Sequence, residues 1–263
     1  MRVEVTDAAD PRLADYVALR DSTLRRRVET DGGLFIAEGD KIIRRAAEAG
    51  AVPRSFLLQE RWLGGLADVL ATWPGVPCFV VTGEVAERVS GFHVHRGALA
   101  SFERPAEASW EHIVTGRRLL VCQDLVDHAN TGSIMRIAAA LGWDAVVISP
   151  GGADPLYRRA IKASMGASLS VPWRRMRPEE DLTRLRDAGF QLVATTLDDG
   201  ATDLDAFVPA DKVALLLGSE GPGLSEQWQA AADARVRIPM SNGTDSLNVA
   251  TAAAICAYVL RPG

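Results

Sequence analysis

The sequence predicts an α/β protein whose C-terminal part is a mostly parallel sheet with helices on both faces, preceded by a smaller α/β domain. Three observations lead there. Past residue 117, short apolar runs alternate with helix-spaced stretches, the pattern of βαβ crossovers. Some of those runs, such as Val213-Ala214-Leu215-Leu216-Leu217, are uninterrupted, as strands covered on both faces are. Between the halves, Glu103-Arg104-Pro105-Ala106-Glu107 is a polar, proline-marked joint. The boundaries that follow are 1–105 for the first domain, 106–116 for a linker and 117–263 for the second domain.

In the first domain, residues 34–37 read as a strand and 40–49 as a helix with Ile42, Ile43, Ala46 and Ala47 on one side. A strand at 55–58, a helix at 61–70, a strand at 78–81, a short helix at 84–89 and a strand at 97–101 follow. In the second domain, strands are expected at 119–123, 145–149, 168–171, 191–195, 213–217 and 235–238. Helices are expected at 133–141, 156–163, 179–188, 225–231 and 247–260. In sheets of this kind ligands collect at the carboxyl ends of the strands.

Composition narrows the class. With 48% hydrophobic and 24% charged residues the chain has the make-up of a globular protein. The least polar stretch, 247–260, is interrupted by Asn248 and Thr251 and is too short for a bilayer, which needs about 20 residues. No leader-like apolar run opens the sequence, so a cytoplasmic protein is expected. Cys78, Cys122 and Cys256 are far apart in apolar runs, which predicts buried free thiols and neither disulfide nor zinc ribbon. His93 and His95 form an HxH pair without a third ligand nearby, so no metal is expected. A net charge of −5 argues against a polycationic nucleic-acid binder, although small arginine clusters occur at 25–27, 44–45, 117–118, 158–159 and 174–177.

Three strand ends are followed by unusual loops. The first runs from Asp127 through Asn130, Gly132 and Arg136. Ile134, Ile137, Ala138 and Leu141 form its buried stripe, and Arg136 points away from that stripe among small neighbours. Spacing alone leaves two readings open: a ligand-contacting Asn130 and Arg136, or an N-cap and a solvated helix residue. The second loop, Gly218-Ser219-Glu220-Gly221-Pro222-Gly223-Leu224, permits close backbone approach to a ligand but is neither a dinucleotide fingerprint nor a P-loop. Its carboxylate, Glu220, suits a ligand with positive charge better than a phosphate. The third loop, Ile238 to Val249, contains Ser246, a candidate cap, with Asn248 expected in the first helical turn. The helix behind it carries Ala250, Ala253, Ala254 and Ala257, a stripe against which the sheet or a second subunit can pack closely.

Taken together, the motifs NxGxxxR (Asn130, Gly132, Arg136), GSEGPGLS (Gly218 to Ser225) and IPM…SLNV (Ile238 to Met240, Ser246 to Val249) resemble the SpoU branch of the SPOUT superfamily, RNA ribose 2′-O-methyltransferases. The likeness covers about residues 117–260. Phe35-Ile36-Ala37-Glu38-Gly39 and the helix after it look like that family's L30e-like substrate-binding domain. The resemblance implies a deep C-terminal trefoil knot, a homodimer, S-adenosyl-L-methionine as cofactor and RNA as substrate, with ribosomal RNA favoured over tRNA. It implies catalytic roles for Asn130, Arg136, Glu220, Ser246 and Asn248, and cofactor contacts at Thr195 or Thr196, Gly218, Ile238, Met240 and Leu247. A guanidinium is a cation without an acceptor atom, so Arg136 is expected to bind phosphate or developing oxyanion charge. One departure stands out: where many relatives have proline after the first aspartate, this chain has His128. A rival expectation is a catalytically inactive RNA-binding protein of the same fold, against which the intact set of polar motif residues counts.

Overall fold

A computed structural model describes residues 1–19, 29–30, 32–94, 97–178, 180, 182–219, 221–242 and 244–262. The arginine run at 25–27, His95 and Glu220 lie outside the described residues. The chain divides into two compact units, Met1–Ala106 with Leu156–Lys162, and Glu107–Pro155 with Ala163–Gly263.

The first unit is built on β1 (Arg2–Glu4), β2 (Leu34–Glu38), β3 (Pro53–Leu58), β4 (Cys78–Val80) and β5 (Ala98–Glu103), in the order β1-β4-β3-β5-β2. β1, β4 and β3 run parallel, while β5 is antiparallel to β3 and β2, so the sheet is mixed. Its helices are α1 (Asp40–Glu48), α2 (Glu60–Leu63), α3 (Ala67–Thr72) and α4 (Gly83–Ser90). The helix expected at 61–70 is broken in two: Gly64-Gly65 enters a 3-10 turn, Gly64–Leu66. Two consecutive glycines cost about 2 kcal/mol of helix propensity relative to alanine. β1 was not expected, being a three-residue edge strand with only partial apolar character.

The second unit holds α5 (Trp110–Ile113), β6 (Arg118–Cys122), α6 (His128–Leu141), β7 (Ala145–Ile148), β8 (Trp173–Arg175), α8 (Thr183–Asp187), β9 (Gln191–Thr195), β10 (Thr202–Asp203), β11 (Val213–Leu217), α9 (Glu226–Ala231), β12 (Ala234–Arg237) and α10 (Val249–Val259). The helix between β7 and β8, α7 (Arg158–Ala163), falls mostly within the first unit. The strands form one sheet in the order β10-β12-β9-β11-β6-β7-β8, and every neighbouring pair is parallel. β6 and β11 are buried at every residue. Their alternate side chains face opposite layers. Leu119, Val121, Ala214 and Leu216 join a core with Leu185 of α8 and Leu224, and α6 and α10 pack on each other with contacts to β7 and β11.

Several expectations are corrected here. The segment read as a linker, 106–116, contains α5, whose Trp110 and Ile113 are buried in the second unit's core. Trp110 also donates its indole N–H to Glu180 at 2.7 Å. Residues 168–171 are not a strand: Ala167–Leu169 is a 3-10 turn, and the strand is β8, further along. The Ser164 hydroxyl accepts from the Gly166 and Ser168 amides at 3.2 and 3.3 Å, and such local bonds hold the backbone out of an extended ladder. The alanine stripe of α10 is turned inward, with Ala250, Ala253 and Ala257 buried. There Trp143 Nε1 donates to the Ala257 carbonyl at 3.0 Å and Arg118 Nε to that of Leu260 at 2.7 Å. All three cysteines are free and buried, as expected. No described helix is long and apolar enough to cross a membrane.

Within the first unit, Glu38 at the end of β2 is 6% exposed and accepts from Arg158 Nη1 and Lys162 Nζ, each at 2.9 Å. The Arg158 guanidinium stacks on Phe92, 4.2 Å from the ring centre. Burial pushes the Glu38 carboxyl up, but the Lys162 hydrogen bond and charge, with Arg158, hold it below its usual 4.5. A carboxyl lowered on folding stabilises above its unfolded range and loses that contribution as pH falls through the folded value. Glu38→Gln is therefore expected to cost about 3 kcal/mol at neutral pH, because Arg158 would be left buried beside a neutral amide. The gap between variant and wild type should begin to narrow below pH 4.5 and close only as pH falls through the lower folded value. Urea titrations at pH 7 and pH 4 measure both, and equal midpoints at pH 7 would refute the expectation.

Candidate functional site

The second and third polar loops of the second unit, with the loop after β9, close round one cavity of about 580 Å³ at the carboxyl ends of β9, β11 and β12, and the first loop reaches its edge through Asn130. That size falls within the range of small-molecule sites, roughly 300–1,000 Å³. Each loop is held by bonds its own sequence provides.

The glycine loop folds back on itself: Gly223 N–H donates to Ser219 O at 3.1 Å, and the two residues form an isolated bridge. A Cβ on Gly218 would stand 2.2 Å from both Gly223 C and Leu224 N, so no other residue fits there without moving main chain. Gly223 adopts φ +70°, a left-handed value that glycine takes without strain. Ser225 caps α9 by accepting from Trp228 N. Gln123, just past β6, grips that same serine twice, accepting from Ser225 N at 2.8 Å and donating to Ser225 Oγ at 2.9 Å.

The first and third loops meet at two helix starts. Asp127, not Asn130, caps α6, accepting from Ala129 N and Asn130 N at 2.8 and 2.9 Å. His128 thereby takes the first helical position, where proline is also favoured. Asn248, not Ser246, caps α10, its Oδ1 accepting from Ala250 N and Thr251 N at 3.0 and 3.3 Å. The Asn248 amide then donates to Asn130 Oδ1 at 3.1 Å. One side chain both caps a helix start and joins two motifs.

Thr195, Thr196, Gly218, Ile238, Met240 and Leu247 all line the cavity, as do Ser246 and Asn248. Asn130 stands beside it through its bond to Asn248. Arg136 lies further along α6, exposed and outside the cavity lining, and forms no ion pair among the described residues. Glu220 lies outside the described residues, between Ser219 and Gly221, which line the wall. Sequence reading missed Asp198, Gln229, Ala252 and Cys256, which also line the cavity. The signal for Asp198 was present: it follows β9 at a carboxyl strand end, where ligands gather. Burial pushes the Cys256 thiol up to about 12, so it meets the cavity as a neutral group. Among the described residues no three His, Cys, Asp or Glu side chains cluster as metal ligands, and His93 pairs with Glu87 at 3.1 Å.

Residues 117–258 match the model of the SpoU rRNA methylase family. The chain belongs to that family. Over 261 residues it is 44% identical to an uncharacterized tRNA/rRNA methyltransferase of Mycobacterium tuberculosis, covering 97% of this chain and 90% of that one. It is 25% identical over 258 residues to the 23S rRNA (guanosine(2553)-2′-O)-methyltransferase of Bacillus subtilis, spanning 98% and 99% of the two chains. Among solved structures, an rRNA methyltransferase from Sinorhizobium meliloti with bound S-adenosylmethionine superposes with a TM-score of 0.83 at 27% identity, over 98% of this chain and 97% of that one. This SpoU-family chain therefore shares both its motif-bearing half and its full length with RNA methyltransferases.

Proposed function

We propose that the chain transfers a methyl group from S-adenosyl-L-methionine to a ribose 2′-hydroxyl of structured RNA, with ribosomal RNA favoured over tRNA. The observation that carries this reading is the Asn248–Asn130 bond, which joins the amides of two motifs at the edge of the cavity and supports a shared role in holding a ribose. The lining suits that cofactor. Leu217, Ile238, Met240 and Leu247 give apolar walls for an adenine, and the described lining contains no basic side chain to hold a polyphosphate.

When bound, the cofactor supplies an electrophilic methyl on a sulfonium. The protein's task is to aim a hydroxyl and manage its charge. Asn130 and Asn248, each with a fixed amide, orient the ribose, and Ser246 adds a hydroxyl to the cavity wall. Arg136, free of ion pairs among the described residues, binds the adjacent phosphate or the oxygen as negative charge develops. In-line placement of hydroxyl and methyl contributes much of the rate: as the O–CH3 bond forms, the S–CH3 bond would break to leave S-adenosylhomocysteine, and the hydroxyl proton would pass to solvent.

The finer architecture belongs to the same reading. β12 inserts between β9 and β10, both of which precede it, the kind of late insertion a deep trefoil knot requires. The first unit's mixed sheet serves as an L30e-like RNA-binding domain. Ile255, Tyr258 and Val259 on the outer side of α10 are exposed at 36%, 57% and 44%, an apolar surface suited to a homodimer in the cytoplasm. Incubating the protein with labelled cofactor and separated ribosomal RNA and tRNA, then digesting to nucleosides for mass spectrometry, tests the reading. A 2′-O-methylated nucleoside in ribosomal RNA is expected, and sedimentation should give a dimer. A methylated base, or no transfer to either RNA, would overturn it.

A further inference from the structure

Asp198 is the single charged side chain among the described residues that line the cavity, and none of the three motifs includes it. We propose that its carboxylate binds the cis-diol of the cofactor ribose and so sets affinity for the adenosine half. The inference rests on the cofactor reading above and adds the residue that recognises the sugar.

The carboxylate is held in place before any ligand arrives. Oδ1 accepts from Gly200 N at 2.9 Å, Oδ2 from Arg235 Nη1 at 3.2 Å, and the Asp198 amide donates to Thr196 Oγ1 at 3.2 Å. The side chain is nevertheless 47% exposed. An ionised carboxylate has about four acceptor sites, so these two bonds leave capacity for two more.

Position and charge both favour a diol. In the sheet order, β9 is separated from β6 by β11, and the Asn130–Asn248 pair belongs to α6, which follows β6, and to α10. Asp198, in the loop after β9, thus sits at a strand end two positions from the one that leads to Asn130, and we assign it to the adenosine half and not to the methyl. Arg235 already supplies a positive charge to Asp198, so a second cation there gains less than it would at a lone carboxylate. Two hydroxyl hydrogens gain charge-assisted bonds without adding charge. Carboxylates read ribose hydroxyls in the same manner at the strand ends of dinucleotide-binding sheets.

Calorimetry on the full chain tests this with S-adenosylhomocysteine, its 2′-deoxy counterpart, and 5′-methylthioadenosine, which keeps the diol but lacks the amino-acid tail. Asp198→Ala is expected to weaken S-adenosylhomocysteine about 10- to 100-fold, the loss of one or two charge-assisted hydrogen bonds. The same factor should appear with 5′-methylthioadenosine, and the wild-type preference for ribo over 2′-deoxy ligand should vanish. Unchanged affinities in Asp198→Ala overturn the proposal. So does a loss confined to S-adenosylhomocysteine, since the contact would then be the ammonium group. If the wild type binds none of these ligands, the cofactor reading falls with it; if only the variant's response is missing, the cofactor reading stands. Should Asp198→Ala fail to fold, Asp198→Asn, which keeps the side-chain shape and one acceptor oxygen, carries the same comparison.

Discussion

Arg136→Ala is expected to slow methyl transfer about 10³-fold, roughly 4 kcal/mol of barrier, while cofactor affinity changes by less than about twofold. The two halves of that expectation come from different observations. Arg136 is exposed on α6 and does not line the cavity, so its removal leaves the cofactor walls intact. A guanidinium without an ion pair among the described residues is available to an anion, and the anion offered by an RNA substrate is a phosphate or the reacting oxygen. Single-turnover kinetics over a range of RNA concentrations separate the two: phosphate binding appears in the RNA dependence, and oxyanion stabilisation in the rate at saturation. Arg136→Lys keeps the charge but loses the planar fork, and an intermediate rate is expected. Undiminished turnover in Arg136→Ala would remove Arg136 from the mechanism.

What the sequence discloses and what it conceals divide along physical lines. Uninterrupted apolar runs such as Leu119-Leu120-Val121 and Val213 to Leu217 are strands at nearly the expected bounds, because two covering layers leave their composition no freedom. β8 and β10 escaped notice because they are the sheet's outermost strands: Trp173-Arg174-Arg175 and Thr202-Asp203 carry side chains that an outermost strand tolerates. Helix starts were misplaced by up to five residues where several cap-formers compete. Asp127 precedes Asn130 and takes the cap, while Asn248 follows Ser246 and takes it. Tertiary geometry, absent from any local window, decided between them. The same holds for the site. Motif order pointed to the loops, but the bond joining Asn130 to Asn248 spans 118 residues, and Asp198 sits in no motif at all. α7 is the clearest limit: its sequence reads as one more crossover helix, yet Arg158 and Lys162 close on Glu38, more than a hundred residues earlier in the chain.

Gly218→Ala is expected to abolish measurable cofactor binding, a loss of about 10³-fold or more, equivalent to roughly 4 kcal/mol. The reason is steric and local. The new Cβ would stand 2.2 Å from the main chain of Gly223 and Leu224, where real contacts approach 3.4 Å or more, and neither neighbour is a flexible side chain that could turn aside. Relief requires the loop to open, which breaks the Gly223–Ser219 bond and shifts the carbonyls and amides that face the cavity. The damage should stay confined to this wall, because Gln123 fixes the loop's far end through Ser225 and β11 is buried on both faces. Far-ultraviolet circular dichroism should therefore remain that of the wild type while titration with S-adenosylhomocysteine shows no heat. Gly221→Ala is the informative partner: no atom of the described residues lies within 4 Å of its added Cβ, so the strain of φ +90° is what opposes it. A cost of about 1–2 kcal/mol, and a correspondingly milder loss of affinity, is expected there. If the two variants bind equally well, close approach at Gly218 is not what shapes the cavity, and the loop must be held open by something other than its own backbone contact.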